Sequence, residues 1–149
     1  MNTTFNPKNN PRVMIIQILY GRYYNSDQNI IIPKHRFKKF IKDVVFGTLE
    51  RNEIIVMEIK KNLDSDINLK IHDNVFLIIL KSAIFELLYK PSTSSKIIIK
   101  EYLNASNFFI EEKKTKYLNA LLDKISKNLR STNEWNYHNK RLFSKACEK

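Results

Sequence analysis

Glycine is nearly missing from this chain, with two in 149 residues, and proline contributes only four. That scarcity removes most of the tight turns an all-β fold needs. It also leaves no loop able to cradle a nucleotide phosphate on a run of glycines. The one cysteine, Cys147, permits no internal disulfide and fits a reducing compartment, so a cytoplasmic location is expected. The first residues, MNTTFNPKNNP, lack the apolar centre of a secretion signal. The longest apolar stretch, Val75 to Tyr89, is too short to span a bilayer and carries Lys81 and Glu86. The histidines His35, His72 and His138 stand far apart, without cysteine or acidic companions at metal-ligand spacing. No serine sits in a nucleophile elbow, and the acid pairs Glu111-Glu112 and Asp64-Asp66 read as solvated charges. Neither catalysis, nor a metal, nor a cofactor is expected.

Acidic residues are also in deficit. Fifteen of them face 26 lysines and arginines, which leaves a net charge of +11. Such a balance favours a polyanionic partner, because each neutralised phosphate releases counterions. The abundance of Ile, Lys and Asn also suits an AT-rich genome, which inflates lysine without a functional reason. The distribution says more than the total. No acid precedes Asp27, whereas Lys8, Arg12 and Arg22 do, and from Lys113 to Arg130 six basic residues face one acid, Asp123.

Helical spacing runs through most of the chain. Asn10-Pro11 is a helix start, with asparagine as N-cap and proline in the first helical position. The segment that follows puts Val13, Ile16, Tyr20 and Tyr23 on one face, beside Ile15 and Leu19. Pro33 is expected to open a second helix with Phe37, Ile41, Val44, Val45 and Leu49 as its apolar stripe. That stripe continues through Ile55 or Val56, Ile59 and Leu63, with a break near Asn52. DSDINLKIHD reads as a polar connection. NVFLIILKSAIFELLYK is apolar on nearly every side and so belongs at the centre of a bundle, ending at Pro91. The stretch KPSTSSKIIIKEYL opens like a strand, but Ile98, Tyr102, Ala105 and Phe109 keep helical spacing beyond any strand and no second strand exists to pair with it. It is therefore expected to be a helix, with a serine of STSS as its cap. The last helix, about 113–129, turns Leu118, Leu121, Leu122, Ile125 and Leu129 inward and Lys113, Lys116, Lys124 and Lys127 outward. The expected fold is all-α. Residues 1–10 are expected to form a flexible arm, 11–130 a single helical domain, and 131–149 a basic, weakly ordered tail in which Trp135, Leu142 and Phe143 are candidates to dock.

Five fragments stand in a particular order: Arg12 with QILY ending at Tyr20, FIKDVVFG over 40–47, AIFEL over 83–87 with Pro91, IKE over 99–101, and KYLNALLDK over 116–124. In that order and at those separations, they resemble the NusB family of bacterial transcription antitermination factors, over Arg12 to Arg130. The resemblance implies a domain of two packed helical subdomains without catalysis or cofactor. It also implies binding to single-stranded boxA-like RNA of ribosomal RNA transcripts, together with a small-subunit ribosomal protein that doubles as NusE. RNA polymerase is then engaged indirectly, and no membrane is involved.

The same resemblance directs RNA to the basic N-terminal start, here Lys8 and Arg12, and to the opening of the last helix, with Lys113, Lys116, Tyr117, Asn119 and Lys124. Tyr117 reads equally as a surface on which a base stacks or as an aromatic packed on the bundle. Asn119 reads as a ligand or as a small polar residue at a helix crossing. Tyr20 matches a tyrosine that helps hold the ribosomal protein, or else belongs to the core. Asp43, Gly47 and Glu101 are assigned to packing and capping. The family's run of arginines is thinned here to Lys8 and Arg12, and Lys100 and Asn107 stand where asparagine and lysine are usual. Two other readings remain: a helical protein-interaction scaffold, and an RNA-binding domain related to those fused to RNA methyltransferases.

Overall fold

The first helix, α1 (Pro11–Tyr24), begins where its sequence directs. The Asn10 side chain accepts from the backbone N–H groups of Arg12 (2.9 Å) and Val13 (3.3 Å), and Pro11 has no N–H to leave unpaired. The computed structural model describes residues 7–63 and 73–130. Among these, α1 is followed by α2 (Lys38–Glu50), α3 (Asn52–Asn62), α4 (Asn74–Tyr89), α5 (Ser95–Ser106) and α6 (Glu112–Arg130), with a short 3-10 turn at Pro7–Asn9 and no strand. The all-α architecture expected from the sequence is the one observed. The DSDINLKIHD connection, except Asp73, and the 131–149 tail lie outside the described residues.

α4 organises the rest. Eleven of its 16 residues are buried, and each of the other five α-helices packs against it. Its all-round apolar sequence requires this, since a helix with no polar face must be covered on every side. The neighbours are amphipathic and contribute one stripe each: Val13, Ile16 and Leu19 from α1, Ile41, Val44 and Val45 from α2, Ile55 and Ile59 from α3, Ile98, Tyr102 and Ala105 from α5, and Leu118, Leu122 and Ile125 from α6. Gly47 marks the tightest approach. A Cβ there would lie 2.1 Å from Cζ of Phe85 on α4, so the α2–α4 contact requires a glycine. Asp43, one turn earlier on α2, pairs with Lys90 at 3.4 Å just past the end of α4.

The IIIKEYL segment is helical. Ser94 caps it, its hydroxyl accepting from the Ile97 N–H at 3.3 Å, and Ile98, Tyr102 and Ala105 point inward. The break near Asn52 is also present, because Arg51 separates α2 from α3. Three expectations fail. Pro33 does not open α2; it lies in an irregular segment, 29–35, where Ile30 and Ile32 pack on the core while Ile31 is 81% exposed. Proline holds the residue before it out of helical geometry, and the alternating burial is that of an extended chain. A turn closed by the Phe37 N–H on His35 Nδ1 (2.9 Å) then leads into α2 at Lys38. Phe37 and Leu49, assigned to the α2 stripe, are exposed, and Thr48 takes the buried position instead. Tyr20 and Tyr23, placed on the inner face of α1, are 39% and 58% exposed.

Candidate nucleic-acid interface

α6 carries five of the side chains predicted to meet RNA. Its leucines and isoleucine repeat at 3.6-residue spacing and fix the inner face, which forces the lysines outward. Lys113, Lys116, Asn119 and Lys124 are exposed, and Tyr117 is half-buried. At about 100° per residue, Lys113, Tyr117 and Lys124 share one edge of the helix. Lys116 lies beside them and Asn119 further round. Exposure of Asn119 removes the reading that put it at a crowded helix crossing. Lys116 approaches Glu112 at 3.8 Å with both side chains largely in solvent, so the pair holds the ammonium only loosely.

This edge does not stand alone, because the starts of α4 and α6 lie side by side. Asp73 caps α4, its carboxylate accepting from the Phe76 N–H at 2.7 Å, and its other oxygen accepts from Lys114 Nζ. The Lys114 pKa is raised, chiefly by that hydrogen bond. One turn into each helix, the Phe76 and Tyr117 rings stack with centroids 5.5 Å apart and planes 19° from parallel. Tyr117 thus gives one face to the bundle.

The end of α1 adds Tyr20, Tyr23 and Tyr24, all exposed, with ring centroids 4.8 Å apart for Tyr20–Tyr24 and 5.2 Å for Tyr23–Tyr24. The Tyr20 pKa is raised first by hydrogen bonding with Tyr24, and Asp73 also acts on it. Hydrogen bonding with Tyr20 first, and then with Asn74, lowers that of Tyr24. The tyrosines therefore border the same end of the bundle as the α6 lysines. Residues assigned from the sequence to two separate partners, Tyr20 and Tyr117, flank one α4 terminus.

Arg12 is committed differently from the expectation. Its side chain is 12% exposed and its Nε and Nη2 donate to Oε2 and Oε1 of Glu86, at 3.1 and 2.8 Å. Glu86 is fully buried. Burial works to lower the Arg12 pKa, but the charge and hydrogen bonds of Glu86 outweigh it and hold it above the ordinary value. The guanidinium also lies over the rings of Phe40 (5.1 Å) and the fully buried Tyr102 (5.5 Å). Burial and the nearby Glu86 raise the Tyr102 pKa well above the usual tyrosine value. A carboxylate buried in a mostly apolar helix needs a charged, hydrogen-bonding partner, and Arg12 is that partner, bound through two nitrogens.

Arg130 completes this end. Its guanidinium donates to the carbonyls of Leu87 (3.0 and 3.1 Å), Lys90 (3.2 Å) and Thr93 (2.6 Å), satisfying the C-terminus of α4. Lys8 belongs to the 3-10 turn that leads into this end. Arg12 thus lies at the C-terminal end of α4 and the opening of α6 at its N-terminal end, about 20 Å apart along the axis, and α6 returns to the first end at Arg130. Sequence reasoning did not single out Asp73, Phe76, Lys114, Tyr24 or Arg130. For Arg130 and Asp73 the signal was available, since a helix end needs its orphan groups satisfied. Among the described residues no group of three or more His, Cys, Asp and Glu side chains could hold a metal ion, and no helix is long and apolar enough to cross a membrane.

Comparison with known proteins gives a consistent result. A sequence model of the NusB family matches residues 9–127. A transcription antitermination protein NusB of Mesorhizobium japonicum is 27% identical over 92 residues, spanning 62% of this chain and 59% of that protein. The protein of the same description from Rickettsia felis is 27% identical over 121 residues, 75% of this chain and 74% of the relative. That from Ligilactobacillus salivarius is 34% identical over 86 residues, 58% and 65% of the respective lengths. Among solved structures, T. maritima NusB superposes with a TM-score of 0.71 over 82% of this chain and 92% of that one. At 21% sequence identity this is a likeness of fold.

Proposed function

The chain belongs to the NusB family of transcription antitermination proteins, and from that premise we propose that it binds single-stranded boxA-like RNA of ribosomal RNA transcripts together with a small-subunit ribosomal protein acting as NusE. In this reading it is a non-catalytic adaptor that reaches RNA polymerase indirectly, supporting processive transcription and ribosome maturation. The observation that supports it is the opening of α6, where exposed Lys113 and Lys116 stand beside the half-buried ring of Tyr117. Phosphates are assigned to Lys113, Lys116 and Lys124, with Lys8 as a second contact at the far end of α4. An unpaired base is assigned to Tyr117, and Asn119 is available to a base edge. Arg12 contributes by fixing the start of α1 to Glu86. The ribosomal protein is assigned to the tyrosines at the end of α1, Tyr20 among them.

Titration of a boxA-like RNA at several salt concentrations, with and without the ribosomal protein, tests this. Lys113→Ala and Lys116→Ala are each expected to weaken binding and to reduce the slope of log affinity against log salt by about 0.7, the share of one phosphate on a single strand. Tyr20→Asp is expected to abolish the gain conferred by the ribosomal protein while its far-UV circular dichroism remains native. If both lysine variants keep wild-type affinity and slope, the α6 surface is wrong. If folded Tyr20→Asp still binds the ribosomal protein, the α1 assignment is wrong.

A further inference from the structure

Between α1, α2 and α4 lies a groove of about 290 Å³. Its walls are apolar, formed by Leu19, Leu49, Ile78 and the ring of Tyr23. Of the polar side chains that line it, Thr48 and Lys81 stand out. Thr48 is 4% exposed, and its hydroxyl has no hydrogen-bond partner among the described residues. A buried helical threonine ordinarily returns its hydroxyl to the carbonyl one turn earlier, and this one does not. Lys81 is half-buried and has no carboxylate partner among the described residues. Burial alone lowers its pKa. A partly desolvated ammonium and a buried hydroxyl without a protein partner thus line one apolar groove, and a carboxylate would satisfy both.

We propose that this groove binds an acidic, apolar segment of a protein partner, receiving an aliphatic side chain between Leu19, Leu49 and Ile78 and a carboxylate on Lys81 and Thr48. Charge complementarity selects the occupant. The lining contains no Asp or Glu, and its other cation, Arg22, already donates to the carbonyls of Ser26 and Gln28. One ammonium and one hydroxyl suit a single carboxylate. A nucleic-acid strand would bring a row of phosphates to a groove with apolar walls and one available cation. Tyr23 joins the groove to the tyrosine surface at the end of α1. The inference does not depend on what those tyrosines bind.

The test is a titration of the full chain, followed by amide and lysine side-chain NMR, with the peptide acetyl-ALELA-amide and its counterpart acetyl-ALQLA-amide. The glutamate peptide is expected to shift Thr48, Leu49 and Lys81. Lys81→Met is expected to weaken it about tenfold or more, the share of a charge-assisted hydrogen bond. The glutamine peptide should bind wild type more weakly by a similar factor and lose nothing further on Lys81→Met. Both Lys81→Met and Thr48→Val should keep or raise the Tm, because each removes a polar group with no partner in the isolated chain. Four results overturn the proposal: no shift at millimolar glutamate peptide, equal binding of the two peptides, a decauridylate shifting these residues in place of the peptide, or a fall in Tm for Lys81→Met. The last would mean that the chain itself supplies the anion.

Discussion

At one end of α4, Arg12 meets Glu86 with the arginine 12% exposed and the carboxylate fully buried. At the other end, Lys114 meets Asp73 with 47% and 41% of their side chains in solvent. Each end also holds aromatic rings against a cation or against one another, Phe40 and Tyr102 at the first, Phe76 and Tyr117 at the second. The ingredients match and the consequences differ. A buried guanidinium cannot turn to a phosphate without leaving Glu86 as an uncompensated charge in the interior, which costs far more than one surface contact returns. A solvated ammonium loses little when its partner changes. Burial, more than residue type, therefore separates the cations that hold this fold from those available to a polyanion.

The largest expected effect breaks the buried end. Arg12→Ala should destabilise by about 3–5 kcal/mol, because it strands Glu86. For a chain of this length that lowers Tm by something on the order of 10 °C. Replacing both partners, Arg12→Met with Glu86→Met, should recover most of the loss, since two apolar side chains owe no desolvation. The salt dependence of RNA binding should be unaltered in the folded double variant. A reduced salt slope there would mean that Arg12 reaches phosphate after all and that the distinction between the two ends is false.

The next effect sharpens the solvated end. Tyr117→Leu should cost RNA affinity about 1–3 kcal/mol if its outer face carries a base, since leucine has no π-face. Its other face stacks on Phe76, so stability should fall as well, by about 0.5–1.5 kcal/mol. Thermal denaturation beside RNA titration well below the melting range separates the two losses. A stability loss with unchanged affinity would assign Tyr117 to packing alone.

Local patterns in the sequence carried much of this. The Asn10-Pro11 start, the all-round apolar α4, the serine cap of α5 and the lysine edge of α6 depend on residues within a turn or two of one another. The two Ile-Ile-Ile runs show where such reading stops. Residues 97–99 follow a capping serine and are helical, whereas 30–32 precede Pro33 and alternate in burial like an extended chain. A proline opens α1 at 11 but opens no helix at 33. The difference is that Asn10 supplies a cap to Pro11, while the chain at Pro33 continues to a turn at His35. Arg12 shows a different limit. Its partner is 74 positions away, so no local pattern could reveal that a matched basic position was occupied. The lone carboxylate inside α4 was the available sign, and it required a search of the whole chain for its counter-ion. The exposed tyrosines of α1 satisfied helical spacing as well as buried residues would. Spacing assigns a face without telling whether a neighbour covers it.

The smallest expected effect separates two roles of one carboxylate at the solvated end. Asp73 both caps α4 and pairs with Lys114. Asp73→Ala should cost about 1 kcal/mol, the usual worth of an N-cap, whereas Asp73→Asn should keep most of that because asparagine also accepts from the Phe76 N–H. Lys114→Ala leaves the cap in place and removes only a solvated ion pair, so its Tm should be indistinguishable from wild type at physiological salt. Its RNA affinity is more informative than its stability. If Asp73 keeps Lys114 from the strand, Lys114→Ala should leave the salt slope unchanged where Lys113→Ala and Lys116→Ala reduce it. An equal reduction in all three would show that the ammonium leaves Asp73 for phosphate when RNA arrives. α6 would then supply four cations in place of three, and the contrast with the buried Arg12–Glu86 pair would become sharper.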